Sequence, residues 1–195
     1  MDAKASPSSR RELTKTQNRE TILEAARLVF AQLGFATATV RDIIRATPLA
    51  SGTFYNYFKS KEQVYQALRD EEALAIRPKL REARATAGDA KAFLAANFRT
   101  FFWFVAEKGS SGDERFRLDS PEVQAGFAEL REDIEVAMMR GLLPPADAGL
   151  LTAVLTGVAF ELAEEVKQGA EVEKVTDFAT ALFLGGISAL PSRMA

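Results

Sequence analysis

Ser51, Thr53, Tyr55, Asn56 and Tyr57 crowd five hydrogen-bonding side chains onto one short segment, with Lys59 and Lys61 just beyond it. Hydroxyls and an amide can donate and accept at base edges, and ammonium groups neutralise phosphates, so this is groove-reading chemistry. Other chemistries find little support. The chain has no cysteine, which removes disulfides and thiolate metal sites. It has no histidine, which removes the commonest general base and zinc ligand. No nucleophile–base pair, phosphate loop or metal-ligand spacing is visible, and no cofactor or metal is expected.

Such a segment reads bases only if a scaffold presents it, and the surrounding sequence is helical almost throughout. Residues 1–13 read as a flexible arm, with Arg10, Arg11 and Lys15 as solvated charges. A first helix is expected from about Thr14, in a capping box with Gln17, to Leu33, with Ile22, Leu23, Ala26, Val29 and Phe30 on one face and Gly34 ending it. A second starts at Thr39, boxed with Asp42, and stops before Pro48. Ser51 to about Tyr57 makes a third. Val40, Ile43, Ile44, Phe54 and Phe58 can then close one small three-helix core.

A fourth helix is expected from Ser60, boxed with Gln63, to Ala85, with a bend near Ile76–Lys79 because Pro78 removes a backbone bond. A fifth covers Asp89–Lys108, followed by a loop at residues 109–112 and a loose turn at 113–118. Ser120-Pro121 opens a helix to about Leu142. Two more span about Ala146–Gln168 and Val172–Leu190. With no strand pattern and about nine helices, the expected class is all-α.

The motifs Gly34-Phe35, Thr39-Val-Arg-Asp-Ile43, Ser51-Gly-Thr-Phe-Tyr55, Phe58 and Lys59-Ser-Lys-Glu62 resemble the N-terminal signature of the tetracycline-repressor (TetR) family of bacterial transcription regulators. The resemblance covers roughly residues 15–65. It implies a helix-turn-helix DNA-binding domain at 14–62 and a ligand-binding and dimerisation domain at 63–195, in a homodimer. By position it also implies that Thr39 and Arg41 meet the DNA backbone, and that Ser51, Gly52 and Thr53 enter the groove. Tyr55 would bond a phosphate, Asn56 and Tyr57 would line the groove wall, and Lys59 and Lys61 would neutralise phosphates. The turn departs from the pattern, because Pro48 and Ala50 stand where glycine and a capping serine are usual. Either Ser51 takes over capping or the cap is weaker.

Beyond residue 63 two features stand out. Seven of the fourteen phenylalanines fall between Phe93 and Phe127. Phe93, Phe98, Phe101, Phe102, Trp103, Phe116, Phe127 and Phe160 are candidates for an apolar effector pocket, with Arg99, Glu107, Arg117 and Glu161 as polar groups nearby. A packed core is the competing reading of the same residues. On the last two helices, Leu151, Val154, Leu155, Val158, Leu162, Phe178, Leu182, Gly186 and Leu190 read as a dimer interface built as a four-helix bundle, against ordinary intrachain core.

At 195 residues, 47% hydrophobic and 27% charged, the chain can bury a substantial core. Residues 1–62 hold ten basic and six acidic side chains, a balance of +4; residues 63–195 hold fifteen and twenty-one, a balance of −6. A basic head on an acidic body suits a polyanion at one end. Residues 1–11 lack the apolar run of a secretory signal, and Phe178–Leu190 is too short to span a bilayer, so a soluble cytoplasmic protein is expected. The resulting expectation is a repressor released from a palindromic DNA operator by a small apolar or aromatic effector, the fourth helix moving near Pro78. A small helical enzyme, a dimeric ligand-binding protein without DNA recognition, and an activator stay open.

Overall fold

A computed structural model describes residues 7–108 and 120–190, and among them there are eight helices and no strands. The expected loop at 109–112 and turn at 113–118 lie outside the described residues. The chain divides into two compact units, the first running through Arg69 and the second starting at Asp70.

In the first unit α1 is Pro7–Leu33, α2 Val40–Arg45 and α3 Ser51–Tyr55, followed by the opening turns of α4, Lys61–Ala85. Helix α1 begins seven residues before the expected Thr14, with Pro7 at its first position, where a missing N–H costs nothing. Thr14 is therefore helix interior and not the start of α1. Gly34, at φ +72°, ends α1 with its amide on the Phe30 carbonyl at 2.9 Å. The Thr39–Asp42 capping box forms as expected, the hydroxyl accepting from the Asp42 amide at 3.3 Å and the carboxylate taking the Thr39 amide at 3.0 Å. The Thr39 hydroxyl also donates to that carboxylate at 2.6 Å, and this bond first, with the Thr39 amide second, holds the Asp42 carboxyl below its usual range. Ile22, Leu23, Ala26 and Phe30 meet Ile43, Phe54, Phe58, Val64 and Leu68 in one closed core. Val64, Tyr65 and Leu68 lie past the boundary expected after residue 62, so the first turns of α4 are part of this head.

The second unit comprises the rest of α4 with α5 Ala90–Lys108, α6 Pro121–Met139, α7 Ala148–Lys167 and α8 Val172–Ser188. The expected bend at Pro78 does not divide α4. Pro78 is exposed, and so is Leu74, whose carbonyl it cannot serve, so water can take that place. Ser120 and Asp147 cap α6 and α7 through the amides of Val123 and Leu150. Helix α6 stops at Met139, three residues short of the expected Leu142, because Gly141 turns the chain at φ +72° before the two prolines arrive. Phe93, Leu94, Phe98 and Phe102 of α5 form one core with Leu130 and Ile134 of α6, Leu155 and Ala159 of α7, and Ala179 and Phe183 of α8.

Candidate nucleic-acid interface

The reading segment is fixed from below. Phe54 and Phe58, one helical turn apart, are buried and their rings lie 6.1 Å apart. Consecutive residues on a helix point about 100° apart, so burying Phe54 turns its neighbours outward. Tyr55 is 58% exposed, its ring edge-on to Phe54 at 5.4 Å. Ser51, Gly52 and Asn56 are exposed too, while Thr53 is half-buried. Tyr57 is also half-buried and packs against the head core, which separates it from the outward group. A Cβ built on Gly52 meets nothing within 4 Å, so the protein itself does not need glycine there.

The turn ahead of α3 closes without the usual glycine and serine. Ala50 takes the N-cap position and makes no side-chain cap bond. Thr47 does the local work instead: its hydroxyl donates to the Ile44 carbonyl at 2.9 Å and accepts from the Leu49 amide at 3.2 Å. Pro48 between them has no amide to satisfy. Of the two alternatives left by the sequence, the weaker cap is the one found.

The cations split into two groups. Arg41 and Lys59 are exposed. So is Arg45, four residues after Arg41 on the same helix face, a cation that the sequence reading passed over. Lys61 behaves differently. Its Nζ donates to the carbonyls of Phe35 at 2.7 Å, Ala38 at 2.9 Å and Ala36 at 3.1 Å, and lies 4.7 Å from the Phe35 ring centre. All three ammonium protons are engaged within the protein. Lys61, expected to neutralise a phosphate, is here turned onto the carbonyls of the turn between α1 and α2. The Gln63 carboxamide also departs from the expected box, taking the Lys59 amide at 2.8 Å, while Ser60 accepts from the Gln63 amide at 3.3 Å.

In the second unit the expected pocket aromatics separate by depth. Phe93, Phe98 and Phe102 are fully buried, and Phe98 packs on Phe102 at 5.8 Å and on Phe183 at 5.5 Å. Phe101, Phe127 and Phe160 are half-buried and edge-to-face, at 5.3 and 6.2 Å. Trp103 points out, 48% exposed, donating to Glu173 at 3.1 Å. Arg99 bonds the same carboxylate at 3.0 Å. Trp103 and Arg99 are thus spent on α8, and Glu173 is held below its usual range by the indole first and the guanidinium second. Phe116 and Arg117 lie outside the described residues.

An arginine that the sequence did not mark is buried here. Arg84 is 3% exposed and donates to Asp133 at 2.8 Å and to Asn97 at 3.0 Å. Burial pulls its pKa down and the Asp133 bond opposes that. Arg77, two turns earlier, is paired with Glu129 and holds that carboxyl low. Of the expected interface, Leu151 and Leu155 are buried in the chain's own core. Val158 and Leu162 pack against that core half-buried, whereas Val154, Phe178, Leu182, Gly186 and Leu190 remain exposed.

An outward polar helix on a three-helix core, joined in sequence to a separate helical body, is a helix-turn-helix architecture. Residues 22–68 match the model described as bacterial regulatory proteins, tetR family. The first unit thus carries the signature of that family. That model describes regulatory proteins, which favours a regulator over the enzymatic rival. Solved structures share the fold. The fatty acid degradation regulator FadR of Bacillus halodurans is 22% identical, with 95% of this chain and 98% of that one covered and a TM-score of 0.72. FadR of Bacillus subtilis, solved with stearoyl-CoA, is 21% identical over 86% and 98%, at 0.70. RolR, solved with resorcinol, is 19% identical over 93% and 92%, at 0.68. No described helix is long and apolar enough to cross a membrane.

Proposed function

We propose that this chain is a ligand-responsive transcriptional repressor which, as a homodimer, grips two half-sites of a palindromic operator about one helical turn, or a multiple of it, apart. The observation that carries the reading is the division of α3: Phe54 goes inward with Phe58, and Ser51, Gly52, Tyr55 and Asn56 go outward beside Arg41, Arg45 and Lys59. Groove-facing side chains supply recognition and the cations supply phosphate contacts. Half-buried Phe101, Phe127 and Phe160 favour an apolar or aromatic effector. The stearoyl-CoA and resorcinol bound to FadR and RolR are consistent with that class. The effector releases DNA by preferring the arrangement in which the two heads no longer match the half-sites.

The test starts by sequencing duplex fragments retained by the purified protein. Anisotropy titrations of the best fragment at stepped salt then follow for the wild type and for Tyr55→Ala with Lys59→Ala. Expected is salt-dependent binding that the double variant loses at least about a hundredfold, the sum of two contacts. Binding of equal strength in the double variant would sink the reading. It would leave the dimeric ligand-binding protein standing.

A further inference from the structure

We infer that Lys61 is a positioning residue for DNA recognition: its ammonium clamps the turn between α1 and α2, and so sets where Thr39 and Arg41 meet the duplex. This rests on the proposed DNA-binding function. An ammonium has three protons and no acceptor capacity, and here the carbonyls of Phe35, Ala36 and Ala38 take all three at 2.7–3.1 Å. The Phe35 ring adds a cation–π contact at 4.7 Å. That ring is held in turn, 5.4 Å from Phe30 and 4.7 Å from Tyr65. The acceptor side of the clamp is rigid on one flank and turn on the other.

Between Gly34 and Thr39 the Ala38 amide donates to the Gly34 carbonyl at 3.1 Å. The next residue, Thr39, is the N-cap of α2, and Arg41 follows two positions later. Lys61 opens α4. One side chain therefore registers the start of α2 against the start of α4, across the turn between α1 and α2. Turning Lys61 towards a phosphate would strand the part-buried carbonyls of Phe35 and Ala38, an exchange a free surface lysine does not face.

Lys61→Arg decides the matter because it keeps the charge. A planar guanidinium fork cannot place three donors at one point, so the clamp is lost while any phosphate attraction stays. Expected for Lys61→Arg is about a tenfold loss of affinity for the retained duplex, the size of one misplaced contact. Combined with Arg41→Met it should add little, since both act on the same contact. Hydrogen exchange at the Ala38 amide, measured without DNA, should speed up in Lys61→Arg and not in Lys59→Met. Wild-type affinity in Lys61→Arg, full additivity with Arg41→Met, or unchanged exchange at Ala38 would each overturn the clamp. If the wild type binds no duplex, the functional reading fails, and the Ala38 exchange still decides the clamp.

Discussion

At the scale of single residues the informative positions are those where the protein's own needs and the needs of a ligand part company. Gly52 is one. It sits in the first turn of α3 with open space where a Cβ would stand, so an alanine fits, and helix propensity favours alanine over glycine by up to about 1 kcal/mol. DNA would meet that methyl group first. Gly52→Ala should therefore melt at or above the wild-type temperature and bind the retained duplex about tenfold more weakly, as one lost contact would cost. Calorimetry and anisotropy on the same preparation check both halves, and undiminished binding would mean that the backbone does not approach the groove there. Tyr55 and Tyr57 show how far residue-level reading reached. Their alternation with buried phenylalanines was visible in the sequence and puts Tyr55 outside, but whether Tyr57 follows depends on packing that no local pattern encodes. The clamp at Lys61 was not legible for a related reason. Its partners are backbone carbonyls more than twenty residues away, which carry no sequence signal.

Elements were legible where their ends are written in side chains and less so where they are not. The capping box of α2 and the serine–proline start of α6 formed where expected, because each uses a specific hydroxyl at a fixed offset. The start of α1 at Pro7 and the early stop of α6 at Gly141 were missed: the polar segment has no apolar stripe, and one glycine acted before two prolines. Helix α3 begins at an uncapped Ala50. The Thr53 amide already donates to the Ala50 carbonyl at 2.8 Å, so Ala50→Ser should supply an acceptor for the Gly52 amide and stabilise the head by about 1 kcal/mol, read as slower hydrogen exchange at Gly52; no slowing would show that the end is already satisfied. In the body, α4, α5 and α6 are tied by Arg84 with Asp133 and Asn97. Removing Asp133 leaves a buried cation without its carboxylate, so Asp133→Ala should cost about 3 kcal/mol in urea unfolding at fixed protein concentration. Arg84→Met removes the buried charge itself and should cost less, since the Asp133 carboxylate keeps some access to water. The reverse order would mean that the arginine stem, not its charge, holds the three helices.

At the scale of the whole molecule the open question is what covers α7 and α8. Each unit closes its own core, and Leu151 and Leu155 serve the core of the body. Yet Phe178 and Leu182, one turn apart on α8, are 60% and 54% exposed, and Val154 on α7 is 53% exposed. Gly157, Gly185 and Gly186 on the same two helices meet nothing within 4 Å, which leaves room for another backbone to approach. A second copy presenting the same helices would bury this surface by two-fold symmetry. Because these side chains lie outside the body's core, Phe178→Glu with Leu182→Glu should leave the fold intact while placing like charges across such an interface. The expected outcome is unchanged helical circular dichroism and a sedimenting species of 21.3 kDa in place of one twice that mass. A single head neutralises only its own share of phosphates, so the salt slope of binding should fall to about half. A variant that still sediments as a pair would assign the exposed stripe to some other partner and move the subunit contact elsewhere on the body.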